Sequence, residues 1–521
     1  MYADPLSSIF GGQARPPLRR VAIVGSGISG LAAAHTLAGL ADITLFEAGA
    51  YFGGHTHTVD MTLPDAQGLP VTFGVDTGFL VLNERTYPNL LALFAQLGVP
   101  TAPSDMSFSV QAPGAAPGGG ALEWSGSSLA TVFAQRRNLG NPRFWRMLRD
   151  IVRFNRITTR LAQRGEDLAP GSPLLQPLGD FLRAQKFSDE FRDWYFLPMM
   201  GCIWSCPTDQ MLQFPVATMV RFCHNHGLIQ ITNRPQWHTV AGGARQYVEK
   251  IVAGIADKRL NAPVQQVLRD ADGVRVVTEG RVERFDSIVM ACHSDQALAI
   301  LGDAASPDER AALGAIRYQP NRAVLHTDAS VLPGERKAWA AWNYERATSA
   351  DKTSTQVCLH YWLNQLQPLP VQQPVVVSLN PQSPIDPALV HGEFEYAHPV
   401  FDLDAIRAQA RMPALQGQRH TYFAGAWMGY GFHEDGLKAG LQAARALIFE
   451  ILARVRNDFD AEFEWAFLTY QLTDEWRLNA GRLRTPFYKY SDFMVSYFFS
   501  YKYYFEHINK FFFVSYSGLE F

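Results

Sequence analysis

The stretch "VAIVGSGISGLAAAHTLAGLADITLFEA", residues 21–48, constrains this chain more than any other. Four apolar residues end in Gly25, an Ala/Leu-rich run follows, and a second apolar run ends at Glu47. That order predicts strand, helix, strand, with Gly25, Gly27 and Gly30 spaced G-x-G-x-x-G at the first turn. Each glycine has its own physical reason. The first permits a tight turn, the second lets the backbone approach a pyrophosphate, and the third lets helix and strand pack closely. The helix N-terminus offers free N–H groups and a favourable dipole to an anion. Gly25, Ser26, Gly27, Ile28, Ser29 and Gly30 are therefore candidate cofactor contacts. Glu47, with Ala48 beside it, stands where a carboxylate accepts from ribose hydroxyls.

The rest of the chain sets bounds. With 521 residues, two or three domains are expected. A net charge of −3 with mixed signs gives no concentrated basic face, so nucleic acid is not an expected partner. Five cysteines at scattered spacings read as reduced thiols in a cytoplasmic protein, and Cys202 and Cys206 as core residues. The N-terminal segment has no apolar signal region, and no run of about 20 apolar residues predicts a spanning helix.

Further elements follow from pattern. Residues 141–163 read as an amphipathic helix with arginines outward. Residues 178–204 read as helices stopped by Pro198. Residues 264–292 read as a β-meander with Asp272-Gly273 at one hairpin. "AVLHTD" and "PVVVSLN" read as strands, "RHTYFAGAW" as another, and residues 433–455 as a helix.

The glycine motif alone does not separate NAD from FAD. A second glycine pair, Gly53-Gly54, follows Glu47, and "YFAGAWMGYGFHEDGLKAGLQAARAL" lies near the far end. With these the chain resembles the flavin-containing amine oxidase and phytoene desaturase superfamily. It is most similar to a bacterial branch of predicted NAD/FAD-binding proteins, through "FGGHTHTV", "VDTGFLVLNERTYPNL", "SDMSFSV", "WSCPTDQMLQFP", "HGLIQI", "YWLNQLQ" and "GYGFHEDGL". The resemblance implies an α/β fold: a discontinuous, GR2-like Rossmann-type FAD-binding domain (21–85, 236–300 and 415–450) and an interleaved α+β substrate domain (86–235 and 301–414). Residues 1–20 read as a leader and 451–521 as an aromatic-rich extension.

The same resemblance implies non-covalent FAD, there being no cysteine in residues 420–440. It places Gly53, Gly54, Gly425 and Ala426 along the pyrophosphate and ribityl, and Val264 at adenine. Thr77, Gly78 and Phe79, after Asp76, would lie against the flavin face, and Gly436 and Leu437 would give backbone contacts to the ring, where a helix dipole stabilises reduced flavin. The superfamily commonly has Arg after the second glycine pair, and here His55 stands in that place. His55 is expected to donate to a phosphate or ribityl oxygen, with Thr56 beside it. His57, two residues on, is expected to point the same way, or to be structural. A metal site is not expected.

His433, Tyr361 and Trp204 are the candidate catalytic residues, although scattered aromatics such as these and Trp362 also read as core. Asp435 reads as a helix cap, and His224 and His226 as turn or core residues. No second G-x-G-x-x-G is visible, which argues against nicotinamide as direct electron partner. The expectation is an FAD-dependent oxidoreductase that desaturates a hydrophobic substrate, of the modified fatty acyl kind, and passes electrons to oxygen or another acceptor. A flavin amine oxidase and a flavin-binding redox partner without turnover are the alternatives. Aromatics and lysines in residues 493–516 suit peripheral membrane contact.

Overall fold

The computed structural model describes residues 18–163, 173–229, 235–346, 357–459, 465–471, 476–483 and 495–501. The chain divides into two compact units, one running to Leu447 and the other from Ile448.

A five-stranded sheet lies at the base of the first unit. Its order is Asp257–Arg259, Asp42–Phe46, Arg20–Val24, Ser287–Met290, Thr421–Phe423, and every neighbouring pair is parallel. Val21, Ala22 and Ile23 in the central strand are fully buried, as a parallel strand covered on both faces requires. Three distant stretches of sequence supply these strands. The expected meander is therefore only partly a meander. Gln266–Asp270, Gly273–Thr278 and Arg281–Phe285 form an antiparallel sheet, with Asp270 paired to Gly273 across the Asp272-Gly273 hairpin. Ser287–Met290 leaves it and joins the parallel sheet, because all four of its residues are buried and a solvated meander strand would bury only alternate ones.

A seven-stranded sheet runs in the order Val390–Val400, Arg317–His326, Val376–Leu379, Cys358–Trp362, Trp342–Glu345, Phe108–Ala112, Leu122–Ser125. Helices Pro142–Gln163, Leu197–Trp204 and Val216–Asn225 belong to the same unit. Pro198 does not stop a helix, as expected from the sequence. Asp189–Phe191, a π-turn at Arg192–Phe196 and Leu197–Trp204 run on without a break, and the wider π-turn just ahead of Pro198 accommodates its missing N–H and its ring.

Helix Ile28–Leu37 follows the central strand, and the long helix His433–Phe459 packs across its start. The crossing is made by small residues. A Cβ on Gly440 would stand 2.2 Å from the Ser29 carbonyl oxygen, and one on Gly436 2.7 Å from Ile28 Cγ2. Ser29 Oγ donates to the Gly436 carbonyl at 2.8 Å. Glu434, almost fully buried, accepts from Asn89 N, Asn89 Nδ2 and Leu90 N, and so caps helix Pro88–Leu97 from a distant part of the chain.

The second unit shows three antiparallel strands, Trp465–Gln471, Trp476–Leu483 and Val495–Tyr501. Of the aromatic segment 493–516 only the last of these strands lies within the described residues, and the expected leader falls almost wholly outside them. No helix among the described residues is long and apolar enough to cross a membrane.

The Ser29–Gly440 approach leaves no room for a methyl group. Gly440→Ala is expected to cost about 1–3 kcal/mol of stability. This would be read as a lower denaturant midpoint at unchanged slope.

Candidate active site

A cavity of about 1060 Å³ opens at the C-terminal ends of the parallel strands, where ligands of open α/β sheets bind. The glycine loop forms one wall, and its three glycines do three different things. Gly25 takes φ +99°, and a Cβ there would meet Ala291 O at 2.7 Å. A Cβ on Gly30 would collide with Gly25 O at 1.9 Å, so this glycine serves packing and does not line the cavity. A Cβ on Gly27 would meet nothing within 4 Å. The second glycine thus faces open space at a helix N-terminus, as a pyrophosphate contact requires.

Glu47 is oriented by its neighbours. Its Oε2 accepts from Ser26 N at 3.0 Å and Ser26 Oγ at 2.5 Å, and its Oε1 from Gly49 N at 2.8 Å. Ser26 Oγ in turn accepts from Gly53 N at 3.1 Å, joining the second glycine pair to the first. Gly53 and Gly54 both take positive φ, +122° and +59°, and Gly54 rests against Gly27. Ser26, Gly27, Ile28, Ser29, Glu47 and Ala48 line the cavity, as do Gly53, Gly54, Gly78, Phe79 and Val264, and Gly425 and Ala426.

Besides Gly30, four expected contacts are placed elsewhere. Thr77 is buried and donates or accepts at Tyr396 Oη, 2.7 Å away. Thr56 is buried against Tyr247 Oη and His433 Nε2, at 2.5 and 2.9 Å. Gly436 donates its N–H to Phe432 O and packs on helix Ile28–Leu37. Leu437 is buried at 1% exposure. The loop before the long helix lines the cavity instead, through Tyr430, Gly431, Phe432 and His433. The long helix is pressed so closely onto the first one that its second turn has no open face there. Asp435 caps this loop as expected, accepting from Tyr430 N and Phe432 N at 3.1 Å. Gly78 has a different neighbour from the one expected: a Cβ would lie 2.2 Å from His55 O. Asp76 is buried and turned to Thr58, Ala244 and Gln367, and burial pushes its carboxyl up to about 6.

His55 and His57 part company. His55 lines the cavity, and its Nε2 is shielded from solvent with no hydrogen-bond partner among the described residues. His57 turns the other way, stacked on Tyr51 at 4.0 Å with Nδ1 3.2 Å from Thr77 Oγ1. Period-two alternation fails because residues 53–57 form a turn, and the strand begins only at Thr58.

His55 has two imidazole neighbours that sequence reading missed. His293 and His398 also line the cavity, with ring centroids 6.0 and 5.4 Å from that of His55. Burial first, and then mutual repulsion, pushes His55 down to about 4, His293 to about 4 and His398 to about 3. All three are neutral at neutral pH. A signal existed for His293, which lies three residues beyond a buried parallel strand at its ligand-binding end. None marked His398, on an exposed-looking alternating strand.

His433 lies on the cavity wall with its ring stacked on Phe79 at 3.8 Å. Its Nε2 is engaged by Tyr247 Oη at 2.8 Å as well as by Thr56, which fixes the ring in the wall through that nitrogen. Beyond it the lining becomes apolar. Trp204 and Tyr361 are both there, with Met199, Ile203, Phe222 and Trp342. Trp204 donates to Tyr430 O at 3.3 Å. Trp362 packs against Trp339 instead. His226, expected to be a turn or core residue, is buried and also lines this part. It ends helix Val216–Asn225 and stacks on Phe222, four residues earlier, at 3.9 Å. That helical spacing was the available signal. Among the described lining residues the acids are Glu47 and Glu395, and there is no lysine or arginine.

The fold and this cavity identify the class. A family model for flavin containing amine oxidoreductases matches residues 28–448, and the chain belongs to that family. It is a flavin-dependent oxidoreductase with a Rossmann-type FAD-binding fold. Cyclohexylamine oxidase from Brevibacterium oxydans superposes with a TM-score of 0.57 at 18% identity, over 84% of this chain and 100% of that one. Putrescine oxidase bound to putrescine gives 0.58 at 17%, over 83% and 100%. A fatty acid isomerase from P. acnes that produces CLA gives 0.56 at 16%, over 83% and 99%. At these identities the likeness is one of fold. No curated protein sequence matches the chain.

Burial holds His433 at about 3, against an ordinary 6.5. Between those values the unfolded chain binds a proton that the native chain does not. Stability therefore falls as pH falls through this window, by about 1.4 kcal/mol per pH unit for this group. His433→Gln, which removes that proton, is expected to flatten the slope of unfolding free energy by about this amount between about pH 4 and about pH 6. Equal slopes in denaturant titrations would show that native His433 is charged.

Proposed function

We propose that the chain binds FAD non-covalently along the glycine loop and oxidises the hydrocarbon part of a lipidic substrate, introducing a double bond into a modified acyl chain. The observation that carries this reading is the lining of the cavity beyond His433. Trp204, Phe222, Trp342, Tyr361, Met199 and Ile203 offer apolar surface and no charged group of either sign. A hydrocarbon chain is stabilised there by leaving water, whereas a charged group would lose its hydration without a partner.

The residues at the other end suit FAD. Gly27 leaves backbone access beside a helix N-terminus, and Glu47, held by Ser26 just past the second strand, would accept from ribose hydroxyls. Orphaned His55 Nε2 is a donor or acceptor awaiting a partner. Its other nitrogen is bonded to the Ala397 backbone, so next to a diphosphate His55 would take up a proton and donate from Nε2 in place of the more usual Arg, the anion offsetting the repulsion among the three imidazoles. FAD supplies hydride acceptance when bound. The chain's own part is to hold a C–H bond towards it, to keep water out with the aromatic wall, and to fix that wall through the Thr56–Tyr247–His433 contacts. Segments 21–85, 236–300 and 415–450 would form the cofactor domain, and 493–516 would dock the protein at a lipid surface.

Amine oxidation is the second reading, favoured by the family to which the chain belongs. Anaerobic mixing separates the two. Loss of the visible flavin absorbance with phospholipids carrying methylated or cyclopropane acyl chains supports the first, and loss with alkylamines alone supports the second. A coloured protein reduced by neither would be a flavin-binding partner without turnover. A colourless protein that takes up no FAD would overturn all three. His55→Ala is expected to weaken FAD binding by about tenfold to a hundredfold, the loss of one hydrogen bond to a charged group. Fluorescence titration of the FAD-free protein would measure this.

A further inference from the structure

Strands Trp342–Glu345 and Cys358–Trp362 pair antiparallel, with Glu345 opposite Cys358 and Asn343 opposite His360. Their alternate residues Trp342 and Tyr361 face the cavity. Glu345, Cys358 and His360 therefore project from the opposite face of the sheet. There His360 Nε2 lies 3.1 Å from Glu345 Oε2 and 3.5 Å from Cys358 Sγ, and Cys358 Sγ lies 3.5 Å from Glu345 Oε2. Cys358 and His360 are buried, at 0% and 1% exposure, and the Glu345 side chain is 13% exposed.

We propose that Glu345, Cys358 and His360 form a binding site for a thiophilic divalent cation, Zn²⁺ being the ion this donor set fits. A tetrahedral zinc has bonds of about 2.3 Å to sulfur and about 2.0 Å to nitrogen or carboxylate oxygen, which puts its S···N and S···O edges at about 3.5 Å and its N···O edge at about 3.3 Å. The three donor separations match those edges. A hard cation such as Mg²⁺ prefers an all-oxygen set and is disfavoured by the thiolate. Binding forms Zn–S, Zn–N and Zn–O bonds and releases the thiol proton of Cys358 to solvent. The fourth position is left to water.

The surroundings supply outer support of the kind metal-bound histidines have. His360 Nδ1 lies 2.6 Å from Ser378 Oγ, which lies 2.7 Å from His326 Nε2. Without metal, Asp328 N donates to His326 Nδ1, and protons run on through Ser378 to His360, whose Nε2–H donates to Glu345. Ligation at Nε2 moves the His360 proton to Nδ1, and Ser378 Oγ then accepts from both His360 Nδ1 and His326 Nε2, its own hydroxyl hydrogen turning away, while Asp328 N still donates to His326 Nδ1. Burial and the Glu345 carboxylate keep the Cys358 thiol protonated in the absence of metal, opposed only by the Gln382 backbone, so the cation itself has to displace that proton.

The test uses the full-length protein, dialysed against chelator and then supplied with Zn²⁺ or with Co²⁺ as a spectroscopic probe. Expected are one metal per chain by elemental analysis and a thiolate-to-cobalt charge-transfer band. Cys358→Ser should abolish the band, Cys223→Ser should leave it, and Ser378→Ala, which removes no ligand, should weaken affinity by about tenfold to a hundredfold. Folded unmutated protein that takes up no stoichiometric metal would overturn the proposal, whatever the variants do. So would a band that survives in Cys358→Ser. Glu345→Gln gives a second reading should Cys358→Ser not fold, and unchanged affinity in that variant would count against the site as drawn.

Discussion

The architecture depends on how closely two helix starts and a strand end can approach one another. The Gly30 Cα lies against Gly25 O, the Gly440 Cα against Ser29 O, and Gly436 against Ile28. At the first two points backbone meets backbone, and at the third the Ile28 side chain meets the Gly436 backbone, because no Cβ intervenes. The helix that opens on the glycine loop is thereby fixed between the parallel sheet and the long helix. The loop before that long helix is in turn fixed as a wall of the cavity. Ser26 completes the arrangement with one hydroxyl, which donates to Glu47 and accepts from Gly53. Three segments far apart in sequence are made to share one corner, and the cavity is the space that this corner cannot fill.

The sequence made part of this legible because some of its signals are local. A strand, a glycine turn and a helix in thirty residues carry their own periodicity, so the separate roles of Gly25, Gly27, Gly30 and Glu47 are legible locally. The roles that failed depended on packing between segments. Of the two readings of His57 the structural one holds and strand alternation does not, because Gly53 and Gly54 put a turn just before the strand. Gly436 and Leu437 were placed at the ring by resemblance, yet glycine spacing along the long helix serves its crossing with Ile28–Leu37. Ser287–Met290 looked like the last strand of a meander until its complete burial is weighed against the half-burial of its neighbours. His398 had no local mark, since an alternating strand says which residues share a face but not what lies across from that face.

The imidazole group at the glycine loop shows why an uncharged side chain can stand where a cation is usual. An arginine keeps its charge whatever surrounds it. A histidine buried beside two others sheds its proton, so an empty site carries no uncompensated buried charge. Burial and mutual repulsion depress all three together, and an arriving anion would act on all three together. Affinity for a diphosphate would then depend on pH through the proton taken up, a coupling that a fixed guanidinium does not have.

The seven-stranded sheet carries two unlike faces at the same pair of strands. Trp342 and Tyr361 turn to the cavity, while Glu345, Cys358 and His360 turn away. Period-two alternation forces this division, and it also links the faces: a one-residue slip between Trp342–Glu345 and Cys358–Trp362 would bring polar groups into the apolar cavity and aromatics onto Ser378 and His326. A cation held by one residue of the first strand and two of the second would fix that register covalently enough to resist slipping. The donor cluster and the aromatic wall can therefore be read as parts of one device, in which polar chemistry on the far face keeps the apolar face in register.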